Sequence, residues 1–547
     1  MALNKESITE LSRRFGSMKE KRRPYEPTWR DVVSYCLPGR SNFSDNPNET
    51  NHKAIDSTAI MALRTLADGL QGYTVSPQIT WLQLVAPDER LNELHEVREV
   101  LQQWERSIYH SMAHSSFYKS ASEMIMDAAS VGIACMYCDE QDGKLHFSVR
   151  HPKEIFIAEN HKGEIDTVYR RYKMTARQMK QEWGEDKLPE RVKRTLNTDA
   201  ETDFWVIHAV FPREDGKSGK LIPKTKKKFA SIYYLEESKD GISESGYDEM
   251  PYAVWRWQTN SDELYGRSPA IDGLPEIMGV NQIAEAVIRT AQKHADPPLL
   301  ASEQLRGRIN LRPNGITYWE TPEDTMQALS GIGGNFPIGA DLLTAKQQAI
   351  KDFFYVDFFL MLAAQSGGRQ MTALEVSERQ AEKVIVMSSV IGSLEVEFLS
   401  PIVNRVFGIL GRTGRLADPP MELQGADSLF DAKYIGPLSQ MQKRYYETQG
   451  IKAALMEIGT ALQIFQDPSI LDNYNKDEII RRLTEKAGMP QDMLNRDQDV
   501  QKLREMREQQ MQEQQELARL QQVGEATSKL GKGVDANSPI AQLMGGM

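Results

Sequence analysis

Between about residues 131 and 258 the hydrophobic pattern of this chain switches from steps of three and four to short β-rich runs, and after that it switches back. A chain that changes period twice is neither a plain helical bundle nor an all-β sandwich, so the fold class expected is α+β, predominantly helical. In the first helical part Ile8, Leu11, Phe15 and Met18 recur on one face, as do Leu91, Leu94, Leu101, Trp104, Ile108 and Met112. The runs Val131–Cys138, Leu145–Arg150, Ile165–Tyr172, Phe204–Phe211, Phe229–Leu235 and Tyr252–Gln258 predict strands, and Asp142-Gly143 predicts a hairpin turn between the first two.

The returning helical pattern has its own punctuation. Pro269–Ala295 carries Ile277, Val280, Ile283, Ala284, Val287 and Ile288 on one side and is stopped by Pro297-Pro298; Ala340–Ala364 mirrors it. Between them lies a Gly/Pro-interrupted segment with a strand expected at Ile316–Trp319, so two helices carry a small β-containing tip. Gly367-Gly368 then opens a loop. Thr372 and Glu375 form a capping box that restarts a helix running to about Gly411, with a kink expected at Pro401. Helices are expected over Leu438–Phe465 and Lys476–Ala487. A long polar helix over Asp492–Val523 is either a solvated arm or one staff of a multi-helix bundle, and the glycine-containing stretch from Gly524 reads as a disordered tail.

Charge and chemistry narrow the function. The 547 residues hold 66 Lys+Arg against 77 Asp+Glu, a net charge of -11, so nucleic acid is not gripped by bulk attraction and any DNA contact must be local. Three cysteines build no disulfide framework, and Met1–Glu6 lacks an apolar leader, which points to a cytoplasmic protein. The most apolar stretch, Phe353–Ala364, contains Asp357 and falls short of the roughly twenty residues a membrane span needs, so no membrane partner is expected. Gly216-Lys217-Ser218 has Phe211 where a phosphate-binding loop needs glycine, and His95-Glu96 is followed by Glu99 rather than a second histidine ligand. No catalytic residues and no cofactor are expected. Cys135 and Cys138, with His146 and His151, offer a superficial zinc set, but three positions apart on a hairpin strand the cysteines face opposite sides, so they read as structural and no metal is expected. Lys224, Lys226, Lys227 and Lys228 form either a solvated loop or a contact for packaged nucleic acid, while Phe353, Phe354, Phe358 and Phe359 read as helix packing or a subunit interface.

Four motifs in order carry a resemblance. Tyr265-Gly266-Arg267-Ser268-Pro269 leads into a helix with Leu274 and Asn281. Then come Pro297-Pro298-Leu299, Met371-Thr372-Ala373-Leu374-Glu375-Val376, and Tyr434-Ile435-Gly436-Pro437-Leu438 with Gln442. Over roughly residues 5–510 this resembles the portal proteins, or head-to-tail connectors, of short-tailed bacteriophages. The resemblance implies a wing over 1–268, stem helices at 269–295 and 340–364, and a clip over 296–339. A channel loop would occupy 365–371, a long helix and return to the wing 372–437, a crown 438–491, and a C-terminal helix 492–523 that an oligomer could gather into a barrel. It implies a dodecameric ring at one capsid vertex of the virion, assembled in the host cytoplasm, through which double-stranded DNA is packaged, held and ejected. Partners would be other copies of the chain, terminase, tail adaptors, and capsid and scaffolding proteins. Within that frame Arg306, Arg308 and Arg312 either dock partners at the clip or brace neighbouring clips. The loop residues Gln365, Ser366, Gly367, Gly368, Arg369 and Gln370 either touch DNA, with Arg369 the single charge, or merely connect two helices. A helical scaffold or adaptor of virion assembly is the alternative suggested by the polar C-terminal helix, and abundant acids suggest a nucleic-acid hydrolase, for which no clustered metal-ligand signature exists.

Overall fold

A computed structural model describes residues 5–40, 43, 53–295, 299–300, 327–328, 336–365, 387–423 and 428–440, except 142, 217, 220 and 221, and scattered positions between 456 and 512. The chain divides into two units, Met1–Lys443 and Arg444–Met547. In the second, the described residues 502–507 and 509–512 are helical and exposed, within the span where the sequence predicts a polar helix.

The first unit opens with α1 (Lys5–Arg22), α2 (Glu26–Cys36) and α3 (Thr58–Thr74), then β1 (Leu82–Val85), α4 (His95–Ala113) and α5 (Phe117–Val131). A left-handed Gly132 ends α5, and β2 (Ile133–Gln141) pairs with β3 (Lys144–Arg150) with Gln141 opposite Lys144, the two-residue hairpin that Asp142-Gly143 predicts. β4 (Ile155–Glu159), β5 (Ile165–Thr175), β6 (Asp203–Pro212), β7 (Phe229–Leu235) and β8 (Gly241–Tyr247) form a five-stranded antiparallel meander. α6 (Ala176–Trp183) and α7 (Glu190–Thr198) interrupt it between β5 and β6, and β9 (Tyr252–Arg256) returns to pair with β2.

Alternation along the strands decides what each face covers. Phe156, Tyr169, Ile207 and Tyr234 receive the Ile8, Leu11, Phe15 and Met18 stripe of α1, whereas Ile155, Ile157, Val168 and Val210 face Cys135, Tyr137, Tyr252 and Val254 of the three-stranded sheet. The opposite face of that small sheet, through Ala134, Met136 and Cys138, joins the largest core, which gathers α3, α4 and α5 with the helices that follow. Each large side chain buried in this way contributes about 1.5–3 kcal/mol.

Those helices are α8 (Pro269–Asp272), α9 (Leu274–Ala295), α10 (Phe336–Phe353) and α11 (Val356–Gln365), with β10 (Leu299–Leu300) and β11 (Gln327–Ala328) paired antiparallel between α9 and α10. The chain is described again from Met387, with α12 (Ser388–Ser393), a π-helical turn Leu394–Leu399, and α13 (Ser400–Arg412). β12 (Asp431–Tyr434) closes the unit by pairing with β1.

Several expectations change. The second of the paired helices begins four residues earlier than predicted and is broken at Tyr355, whose φ is +53°. That left-handed residue re-aims the chain so that Phe354, Phe358 and Phe359 all reach the core, leaving Phe353 39% exposed. The kink expected at Pro401 is a π turn just before it: Pro401 has no N–H to donate, and the Ser400 amide and hydroxyl both reach back to the Glu395 carbonyl. Leu94 lies outside α4 and is exposed. β1, β4, β8 and β12 are not among the strands the sequence predicts: β1 and β4 are apolar but only four and five residues long, β8 carries Gly and Ser, and β12 has one large apolar residue, Tyr434. The strand expected at Ile316–Trp319 lies outside the described residues.

Candidate functional site

The first resemblance motif is a junction. Gly132 and Gly266 bring two backbones together so closely that a Cβ on Gly132 would lie 2.2 Å from the Gly266 carbonyl oxygen, and one on Gly266 would lie 2.4 Å from the Gly132 carbonyl. Tyr265 is fully buried against Trp29 and Tyr25, with ring centres 5.3 and 5.2 Å away. Arg267 pairs with Glu263 and its amide donates to the Gln258 carbonyl at 2.7 Å. Ser268 donates to the Ser130 carbonyl at 2.5 Å and accepts from the Ile271 amide, capping α8 with Pro269 at its first position. The residues that make this motif recognisable therefore set where the first long helix leaves the mixed domain.

α10 runs back along α9. Lys346 Nζ meets Glu276 Oε2 at 2.5 Å between them, and β10 pairs with β11 at Leu299↔Ala328 and Leu300↔Gln327. Asn281, 4% exposed, accepts from the Ile55 and Asp56 amides at 2.6 and 3.0 Å and donates to the Ile277 carbonyl, binding the chain ahead of α3 to α9. The fourth motif is equally structural. Tyr434 shares a hydrogen bond with Ser400, the Ile435 amide donates to the Trp81 carbonyl, Gly436 packs against the Thr74 and Tyr73 carbonyls, and Ser439 donates to Glu395. Arg256 fastens the π turn by pairing with Glu397 while it also pairs with Glu159.

Sequence-predicted site residues fall as follows. Gln365 ends α11 instead of opening the loop, because nothing before Gly367 breaks the helix. Ser366, Gly367, Gly368, Arg369, Gln370, Thr372 and Glu375 lie outside the described residues, as do Arg306, Arg308, Arg312 and Gln442. Cys135 and Cys138 enter different cores, as their strand spacing requires, and burial pushes both thiols up to about 12. Lys227 pairs with Asp248 at 2.5 Å with little exposure, so at least that part of the basic run braces the loop onto β8's end. Among the described residues no group of His, Cys, Asp and Glu side chains is arranged to hold a metal, and no helix is long and apolar enough to cross a membrane. The capping box Thr175–Gln178 that starts α6 was readable as Thr-x-x-Gln and marks a helix the β-rich pattern concealed.

A helix pair rooted in a mixed α+β domain, with its ends fixed by these motifs, can now be set beside known proteins. The sequence profile of the bacteriophage head to tail connecting protein family matches residues 8–494, and the chain belongs to that family. It is 29% identical over 515 residues to the portal protein of Salmonella phage epsilon15, covering 90% of each chain. It is 28% identical over 541 residues to the probable portal protein of Bordetella phage BPP-1, covering 95% of each, and 22% identical over 441 residues to the portal protein of Enterobacteria phage T3, covering 75% of each. The function is that of a phage portal protein, the head-to-tail connector, which is a structural and non-enzymatic component of the virion.

Proposed function

We propose that copies of this chain close into a ring, with twelve subunits the expected number, around a channel for double-stranded DNA at one capsid vertex. The observation that carries the ring is apolar surface left uncovered along the paired helices and the π turn: Ile288 is 47% exposed, Leu342 47%, Leu360 56% and Val396 69%. Side chains at these positions belong against another subunit, since α11 and the π turn already bury Val356, Leu394 and Leu399 within their own. α9 and α10–α11 act as the stem, and the segment 296–339 as the clip. Arg306, Arg308 and Arg312 there meet terminase during packaging and tail adaptors afterwards. The loop after α11, with Arg369 and the Thr372–Glu375 cap, touches DNA, residues 438–491 form the crown, and capsid and scaffolding proteins surround the wing. An acidic chain suits a tunnel that must let phosphate slide rather than stick. Negative-stain images of the purified protein test this reading: end-on rings with a central hole are expected, and a stable single-chain particle at micromolar concentration would overturn it.

A further inference from the structure

At the C-terminal end of α4 the exposed side chains Arg106, His110 and His114 succeed one another at single-turn spacing, about 6 Å apart along the axis. The tip of the β2–β3 hairpin brings Lys144 beside them. The turn after α13 brings Arg415, whose Nη2 donates to the Gly143 carbonyl at that same tip. These groups line an open cleft of about 660 Å³, completed by Ser107, Ser111 and Leu145, and among the described residues no carboxylate joins its lining.

The absence of acid is unusual for these elements. On α13, Arg405 and Arg412 both pair with Glu249. Glu105, next to Arg106 in sequence, turns its carboxylate to the Leu84 amide at 2.7 Å. Among the described residues Arg106, Lys144 and Arg415 have no acidic partner within ion-pair distance. The C-terminal end of α4 opposes an anion with about half a negative charge, which three full cations outweigh. The two imidazoles are stacked, ring centres 4.3 Å apart and 28° from parallel, and His114 Nδ1 is held on the His110 carbonyl at 2.9 Å.

From this arrangement we infer that the cleft is a contact site for a nucleic-acid strand. The guanidinium and ammonium groups take phosphodiester oxygens, and the imidazole pair offers a flat face to a base or sugar. An acidic peptide would satisfy the cations but leave the rings without a role, which favours nucleic acid. The inference does not rest on the channel reading, since none of its residues belongs to the loop 365–371 or to the segment 296–339.

Fluorescence anisotropy of the full chain with a short labelled oligonucleotide, single-stranded and as a duplex, tests it. The variant Arg106→Gln/Lys144→Gln/Arg415→Gln should bind at least about tenfold more weakly at low salt. Its plot of log K against log salt should flatten by about 2 for the single strand, three lost contacts at ~0.7 each. The single substitutions Arg106→Gln and Lys144→Gln should each flatten it by about a third as much, which keeps the test open should the triple variant fold poorly. His110→Ala/His114→Ala should weaken the single strand more than the duplex, whose bases are already stacked. Deleting Ser366–Arg369 should leave the cleft's share of binding in place. Unchanged affinity and slope in the Gln variants, loss of all binding in the loop deletion, or equal displacement by poly-glutamate at matched charge would each overturn the proposal.

Discussion

Single residues at the junctions carry much of the constraint. Gly132 has φ +82° and its missing Cβ admits the Gly266 carbonyl, whereas Gly163 has the same φ of +82° with nothing within 4 Å. Gly163→Ala should therefore cost about 1 kcal/mol for the left-handed backbone alone. Gly132→Ala adds a backbone clash and should cost about 3 kcal/mol or more. Thermal melts of the two variants read the difference, and equal melting would mean the two backbones can separate freely. Asp127 on α5 is buried beside Arg40, at 2.6 Å, and burial pushes its carboxyl up from 3.8 to about 7 in spite of that cation. Between those values the folded state binds more protons than the unfolded one, so this group's contribution to stability falls as pH rises from about 4 to about 7 and is level above that. Denaturant titrations across this window should show the decline in the parent and its loss in Asp127→Asn.

At the scale of elements, two polar contacts of the helix pair can be tested singly beside its shared apolar core. Asn281→Ala leaves the Ile55 and Asp56 amides without their acceptor and should cost about 2 kcal/mol. Hydrogen exchange should rise first in the residues just ahead of α3, and unchanged protection there would show that Asn281 holds only its own helix. Lys346–Glu276, with both side chains about a third exposed, contributes well under 1 kcal/mol and serves register more than stability. Leu362, near the end of α11, and Met387, where the described chain resumes, belong to the same core, so deleting Ser366–Arg369 should leave ring size unchanged if the loop only reaches toward DNA. Reduced retention of the packaged genome, measured as full-length DNA per particle, is the expected result. Normal retention and yield would show a mere connection.

For the whole molecule the question is what the uncovered apolar side chains meet. Leu360→Glu combined with Val396→Glu should abolish the large species in mass photometry while leaving the circular dichroism of the subunit unchanged, because both positions are already solvated in one chain. A ring that survives both charges would place the subunit contact elsewhere. The excess of acid, -11 per chain, also means that association is weakest at low salt, where like charges repel over the longest range.

Periodicity alone determined the mixed, mainly helical class, six of the strands, the β2–β3 hairpin and the pair of helices bearing a tip, because burial of one face imprints a repeat that short windows reveal. Linear spacing also separated Cys135 from Cys138. What it did not determine were features decided by distant neighbours. β1 and β12 are short strands that exist because Leu82–Val85 and Asp431–Tyr434 find each other across most of the unit. The left-handed Tyr355 arises from where three phenylalanines must go, and of the four phenylalanines that read as packing or interface, Phe354, Phe358 and Phe359 are consumed by the subunit's own core. The cleft of Arg106, Lys144 and Arg415 joins three segments spread over 310 positions, and only the packing of α4, the hairpin and the turn after α13 brings those cations within reach of one another. Local pattern records what a residue does with its neighbours in the chain; charge convergence and leftover apolar surface are properties of the folded surface and leave no period to read.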